Sequence, residues 1–425
     1  MHSRDLASLA GEETIFGGFA AEKLKRLQAE LEPLSRRYDV VVANPPYMGS
    51  KNMNKWLGDW IKTHYKDVKG DLFSCFMMRN VGMGAEHAQL GFMTPYVWMF
   101  IGTYEKLRKF VIKQNTITSL IQLEYSGFSG ATVPICTFTL QKGYCPGYRG
   151  GYVRLSDFVG ADQQAPRALE ALANPDCGWF YRCSARMYDS IPGTPIVYWA
   201  SKAIASAFKK GLPVSSIGQP RQGLATGENA RFVRQWWEVS LDREWFDCPS
   251  IEESAKSGLK WFPYNKGGEY RKWYGNNDCV VNWKNDGYEI RNFVDAAGRQ
   301  LSRPQNTSYY FKPCTTWSKI SSGSIAFRYK PAGHVFDVAG TSIFANSDRL
   351  SYLQGACNSS VILKIANMLS PTLNFEVGQI AAYPIVFSEN RYSDVNTIVE
   401  ECRSLSRSDW DSAEVSWDFK HHPLI

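Results

Sequence analysis

Over its first 145 or so residues the chain alternates short apolar runs with amphipathic stretches, and the two periods separate strands from helices. Leu24, Leu27 and Leu31 recur at helical spacing inside the polar stretch 22–34, which predicts a surface helix. Tyr38-Asp39-Val40-Val41-Val42-Ala43 is a continuous apolar, β-branched run, the pattern of a buried strand in a parallel sheet. Residues 71–78 read as a helix with Asp71 at its N-cap. A short strand over 90–94 stops at Pro95, and 104–114 is an amphipathic helix carrying Lys106, Arg108 and Lys109. Strands follow over 117–123 and 133–141, the last broken by Gly143, Pro146 and Gly147. The order strand–loop–helix–strand–helix–strand–strand predicts an α/β fold, specifically the second half of a Rossmann-like sheet.

Beyond about residue 145 the pattern changes. Gly, Pro, Tyr and Trp become frequent and short β-like runs are separated by turns. The boundaries expected are a helical lead-in over 1–37, an α/β domain over 38–190, a connector over 191–214, a β-rich α+β domain over 215–390 and a helical tail over 391–425. The connector includes a helix near 199–210. No internal repeat or low-complexity stretch interrupts this order.

The apolar run 38–43 leads directly into Asn44-Pro45-Pro46-Tyr47. In an open α/β sheet, ligands sit at the carboxyl ends of strands, where this tetrapeptide falls. Both prolines fix φ and remove an N–H, so the carbonyls around them are positioned in advance. A Pro-rich turn with Asn44 capping the chain would also fit the residues alone. The tetrapeptide resembles the catalytic loop of amino-methyltransferases, above all the DNA adenine-N6 class. An exocyclic adenine amine is a poor nucleophile because its lone pair is spread into the ring. The Asn44 side-chain carbonyl and the Pro45 backbone carbonyl can accept its two hydrogens and return that lone pair to nitrogen. Tyr47 offers a flat face to a base taken out of the duplex.

Composition narrows the class. A length of 425 residues allows two or three domains, and 14% aromatic content favours folded structure. The formal charge of +7 permits a nucleic-acid partner without demanding one. The first twenty residues lack a basic start followed by an apolar core, so no signal peptide is expected. The longest apolar stretch, about 90–101, is too short to cross a bilayer, so no membrane association is expected. Ten cysteines form no C-x-x-C pair and six histidines no H-x-x-x-H pattern. Reduced core cysteines, no metal site and a cytoplasmic location are therefore expected.

The resemblance extends beyond the tetrapeptide. Asn44-Pro-Pro-Tyr-Met-Gly-Ser, Asp71-Leu-Phe and Phe128-Ser-Gly-Ala-Thr-Val-Pro-Ile-Cys-Thr-Phe stand in the catalytic half. Gln222-Gly-Leu-Ala-Thr-Gly-Glu-Asn, Arg231-Phe-Val-Arg and Trp261-Phe-Pro-Tyr-Asn-Lys-Gly-Gly-Glu-Tyr-Arg-Lys-Trp follow. Phe327-Arg-Tyr, Pro371-Thr-Leu-Asn-Phe-Glu-Val-Gly and the tryptophans of Asp409-Trp-Asp and Ser416-Trp-Asp-Phe complete the set. Together they resemble the PglX-type adenine-specific methyltransferases of BREX phage-defence systems, of the gamma arrangement. The resemblance implies a partial methyltransferase domain over 38–190 and a DNA target-recognition domain over 215–390. It implies S-adenosyl-L-methionine as methyl donor, double-stranded DNA as substrate, and other phage-defence subunits as partners. It gives Asn44, Pro45, Pro46 and Tyr47 the catalytic-loop role, Asp71, Leu72 and Phe73 the wall of the donor pocket, and Phe128 a place near the flipped base. Helix capping for Asp71 and core packing for Phe128 stand as the structural alternatives.

One departure is plain. The Gly-rich donor-binding turn of such enzymes lies well upstream of the catalytic loop, and only 43 residues precede Asn44 here. None of them forms that turn. The expectation is therefore an internal portion of a longer enzyme. Arg221, Asn265, Lys266, Arg271 and Lys272 are the expected DNA contacts, with Arg231, Arg234, Lys284 and Arg291 further candidates and Trp261, Tyr264, Tyr270 and Trp273 interleaved. Three functions remain open: a site-specific adenine-N6 DNA methyltransferase, a catalytically incomplete DNA-binding module completed by a partner, and methylation of RNA or of a protein glutamine. The long region after 215 argues against the last.

Overall fold

The computed structural model describes residues 17–125, 127, 133–189, 191–321, 323–369, 374–422 and 424. It divides into two units, Met1–Trp199 and Ala200–Ile425. Phe128, expected near the target base, lies outside the described residues.

The first unit is built on a six-stranded mixed sheet. Helix α1 (Gly17–Ser35) leads into strand β1 (Tyr38–Ala43). Helices α2 (Lys55–His64) and α3 (Leu72–Met83) precede β2 (Gly84–Pro95). Helix α4 (Glu105–Gln114) then precedes β3 (Asn115–Gln122) and β4 (Ile135–Lys142). Strand β5 (Arg149–Arg154), helix α5 (Ala161–Ala173) and strand β6 (Phe180–Ser184) complete the unit's main elements. The strand order is β1-β2-β4-β3-β5-β6, with β1·β2 and β3·β5 parallel and the other pairs antiparallel. Every element expected between residues 38 and 141 is present, and the α/β class is borne out.

One feature of the sheet lies outside expectation. Strand β1 pairs in parallel with β2, as its composition implies, and within this chain it is the outer strand, with Val40 and Val42 61% and 76% exposed. Strands β5 and β6 were not anticipated. Arg149-Gly150-Gly151 is a poor strand former, and β5 is held by parallel pairing to β3 from Ser119↔Gly151 to Gln122↔Arg154.

The centre of this core is aromatic. Phe92 of β2 stacks on Phe138 of β4 at 5.3 Å, and Trp98 packs on Phe138 at 5.1 Å. Arg108 of α4 is buried beside them and fastens three segments at once. Its guanidinium donates to the Trp98 carbonyl at 2.8 Å, the Ile101 carbonyl at 2.7 Å and the Gly193 carbonyl at 2.7 and 2.9 Å. Burial lowers its pKa to about 10, still charged at neutral pH.

The second unit holds two four-stranded sheets. The first joins β8 (Val233–Gln235), β9 (Trp261–Asn265), β10 (Cys279–Asn282) and β13 (Val335–Phe336) in the order β13-β9-β10-β8, once β7 (Gln219–Arg221) is counted before them. The second joins β7, β11 (Cys314–Trp317), β12 (Phe327–Lys330) and β14 (Ser342–Phe344) in the order β12-β11-β14-β7. Phe262, Trp283, Tyr310, Phe311 and Phe336 form the core of this unit. Helices Ser347–Asn358 and Ser360–Leu369 interrupt what the sequence pattern makes a β-rich span, and Tyr392–Asp411 forms the long helix of the tail. Among the described residues no helix is long and apolar enough to cross a membrane. None of them forms a group of three or more His, Cys, Asp or Glu able to hold a metal ion.

The Ile101 carbonyl also takes the Tyr104 N–H at 3.1 Å, but the Trp98 and Gly193 carbonyls are held by Arg108. Arg108→Met should therefore cost about 2–4 kcal/mol through stranded buried acceptors. Urea unfolding followed by tryptophan fluorescence measures it, and an unchanged midpoint contradicts the role.

Candidate active-site loop

The carboxyl end of β1 lies beside that of β2, because the two are parallel with Ala43↔Phe92 in register. Asn44 leaves the sheet there and is exposed, Pro45 is buried and Pro46 is exposed. Tyr47 turns back across the strand ends. Its hydroxyl lies 3.2 Å from Asn44 Oδ1 and 3.3 Å from the Met93 carbonyl of β2, and can donate its one proton to either. The ring is 39% exposed and meets Phe73 edge-on at 6.4 Å. Partial burial raises the Tyr47 pKa, with a smaller contribution from Cys136, so the phenol stays neutral near pH 7.

The next stretch of chain makes an excursion and returns to the same place. Asp71 Oδ1 accepts the Met48 N–H at 3.0 Å and the Phe73 N–H at 3.3 Å, capping α3 and holding the loop with one oxygen. The Leu72 N–H donates to the Met48 carbonyl and the Ser50 N–H to the Gly70 carbonyl, both at 3.0 Å. Phe73 is 1% exposed between Tyr47 and Tyr104, whose ring lies 5.5 Å from it. Tyr104 was not singled out in the sequence. Its pKa is pushed up to about 12 by burial first and then by the Asp71 charge. The Met93 carbonyl was also invisible, since a backbone group carries no residue signature.

This arrangement bears directly on the donor pocket expected around Asp71, Leu72 and Phe73. A pocket for a cationic donor needs a free carboxylate and an open apolar wall. The Asp71 oxygen that faces the loop is spent on two backbone N–H groups, and the Phe73 ring is enclosed by two tyrosines. Leu72 is half-buried. These three residues support the catalytic loop and do not by themselves fit S-adenosylmethionine.

The expected DNA contacts of the second unit prove to be a mixed set. Asn265 is a correction, because it is 0% exposed. Its Nδ2 donates to Thr316 Oγ1 at 2.7 Å, to the Gly340 carbonyl at 2.9 Å and to Ser342 Oγ at 3.2 Å. A Cβ on Gly340 would lie 2.0 Å from the Asn265 carbonyl oxygen, so the backbone closes over it completely. Trp261 and Tyr264 share this buried strand and are core residues as well. Arg271 pairs with Asp409, donates to the Tyr274 carbonyl at 2.9 Å and lies over Trp410. Lys272 donates to the Asn358 carbonyl at 3.1 Å. Arg221 lies over Tyr309 at 5.3 Å and donates to Gln219 Oε1 at 3.0 Å. Arg291 pairs with Asp286 at 3.2 Å and Arg234 donates to the Ala230 and Val233 carbonyls. Lys266 is half-buried, Trp273 is partly buried, and Arg231, Tyr270 and Lys284 are exposed.

Comparison with known proteins agrees with this geometry. Residues 17–128 match the family model described as Eco57I restriction-modification methylase. The chain is 36% identical over 409 residues to the adenine-specific methyltransferase PglX of Lacticaseibacillus casei (strain Zhang). It is 34% identical over 415 residues to the adenine-specific methyltransferase BrxX of Escherichia coli O9:H4 (strain HS). These matches take in 95% and 94% of this chain and 34% and 32% of the relatives, so the chain spans about a third of their length. Among solved structures, the Type IIL restriction-modification enzyme MmeI in complex with DNA is similar in fold. That match has a TM-score of 0.57 and 10% identity over 91% of this chain and 52% of that one.

The Asp71 tie yields a test. Asp71→Ala should cost about 1–2 kcal/mol as a lost cap that also frees the loop. The Met48 and Phe73 amides should then exchange hydrogen at least tenfold faster. Unchanged exchange at Met48 would show that the loop is held by other contacts.

Proposed function

We infer that this chain, which in sequence belongs with the PglX- and BrxX-type adenine-specific methyltransferases, presents the base-receiving side of a site for methyl transfer to the N6 amine of adenine in DNA. The observation that carries this reading is the Asn44–Tyr47 pair at the end of β1, where the acceptor oxygen is already oriented by the tyrosine hydroxyl. Asn44 Oδ1 has two lone pairs. With one engaged by Tyr47, the other can accept a hydrogen from an amine brought to the loop. The Pro45 carbonyl can take the second hydrogen. Both acceptors draw density towards nitrogen, and the proton displaced on alkylation leaves through them or through water. The exposed part of the Tyr47 ring offers a stacking face to an adenine that has left the duplex. S-adenosyl-L-methionine is the donor this chemistry calls for; Asp71 Oδ1 and the Phe73 ring are engaged in holding the loop, so no step is routed through them.

The substrate on this reading is double-stranded DNA at a specific site, the second unit (215–390 within it) serves target recognition, and the setting is restriction–modification or phage defence with further subunits as partners. Lys266, Arg231 and Lys284 remain available for DNA by position, whereas Asn265 does not, and Arg221, Arg271 and Lys272 are committed to internal bonds. The engagement of Asp71 and Phe73 favours one alternative, a DNA-binding module that depends on a partner for the donor. Calorimetric titration of this chain with S-adenosylmethionine separates the two, since micromolar binding defeats the module.

The base-receiving role can be tested without the donor. A short motif containing adenine should be enriched by this chain from a pool of random duplexes, and 2-aminopurine in place of that adenine should brighten on binding. Tyr47→Ala should remove most of the rise and weaken binding by about five- to a hundredfold, stacking being worth roughly 1–3 kcal/mol per base. In any methyl-transfer assay that the chain supports, Asn44→Ala should lower the rate by about a hundredfold or more. A duplex that binds tightly without any fluorescence change would sink the assignment.

A further inference from the structure

Between the two places where the chain meets itself, at Met48–Ser50 and Gly70–Leu72, lies an excursion of some twenty residues rich in lysine. Lys51, Lys55, Lys62, Lys66 and Lys69 are all exposed. Two acidic side chains oppose them. Asp59 pairs with Lys62 at 3.1 Å, and Asp67 pairs with Lys106 of α4. Among the described residues no ion pair holds Lys51, Lys55 or Lys69. A cavity of about 310 Å³ is lined by Lys55, Lys62 and Lys69, by Asp59, and by Ser50 and Gly70 of the laced ends. Trp56 stands beside Lys55 on α2 and is 74% exposed, whereas Trp60, one turn on, is stacked on His64 at 4.5 Å.

A large exposed ring and three lysines without ion-pair partners, all within one excursion of about twenty residues, mark a surface that another molecule covers. The excursion leaves and rejoins the chain directly after the Asn44–Tyr47 loop, where Met48–Leu72 and Ser50–Gly70 hydrogen bonds close its base. We propose that Lys51, Lys55, Lys69 and Trp56 form a clamp for the DNA strand flanking the target adenine, the lysines on its phosphates and Trp56 against an adjoining sugar or base. The inference rests on the reading of the Asn44–Tyr47 loop as base-receiving. It adds a phosphate-holding surface in the first unit, for which the sequence motifs had offered only the target-base contacts of Tyr47 and Phe128. Holding the backbone beside the extruded base supplies part of the binding energy that unstacking costs.

Duplex binding measured by fluorescence anisotropy from 50 to 300 mM salt tests it. Neutralising three phosphate contacts should make the slope of log K against log salt shallower by about 2–3 in K51Q/K55Q/K69Q and weaken binding roughly tenfold or more at 0.1 M. Trp56→Ala should weaken binding by about five- to a hundredfold with the slope unchanged. Lys23→Gln, at an exposed lysine of α1 outside the patch, keeps both. A wild-type chain that binds duplex while the triple variant keeps its affinity and slope overturns the clamp and leaves the loop assignment standing. A wild-type chain that binds no duplex overturns both. Acetylation footprinting of the unaltered chain gives the same answer independently of any variant. Lys51, Lys55 and Lys69 should be protected by duplex and Lys23 should not. Absent protection, or equal protection by polyglutamate, overturns the assignment to DNA.

Discussion

One carboxylate oxygen holds the candidate site together. Asp71 Oδ1 takes the N–H of Met48, at the exit of the Asn-Pro-Pro-Tyr loop, and the N–H of Phe73, in the first turn of α3. A helix N-terminus carries unsatisfied donors and partial positive charge, so a carboxylate belongs there in any case. Here the same oxygen also ends the loop. The position of the tyrosine that follows two prolines is therefore referred to a helix packed against the sheet, not to the loop itself. Phe73, the residue that Asp71 caps, supplies the ring against which Tyr47 rests, and Tyr104 backs Phe73 in turn. A flat receiving face for a base is useful only if it stays put, and this chain of a cap and three rings gives it that rigidity.

The first half of the fold was legible because its elements have strong periods. The β-branched run at 38–43, the helix capped by Asp71 and the strands on either side of residue 130 each follow from pattern alone. Strand β5 did not, since two glycines hide it and only its pairing to β3 makes it a strand. Arg108 reads as a surface charge on an amphipathic helix, and it is instead the buried fastener of three carbonyl-bearing turns.

The recognition region shows the opposite error. Basic and aromatic residues alternating over 261–273 look like a nucleic-acid surface. Yet all five residues of β9 are buried, since the strand sits inside a four-stranded sheet with β13 on one side and β10 on the other. Arg271 and Lys272 spend their hydrogen bonds on carbonyls of the same unit. The interleaving that does meet solvent is on α2 and the turns around it, where lysines outnumber their partners and Trp56 is uncovered.

The central claim is that the end of β1 receives the target base. It is tested most directly by photo-crosslinking a duplex in which 5-iodouracil replaces the selected adenine, with the attached peptide identified by mass spectrometry. The account predicts a crosslink to Tyr47, lost in Tyr47→Ala. Crosslinks confined to residues beyond Ala200, with Tyr47 unmodified at saturating duplex, would contradict it.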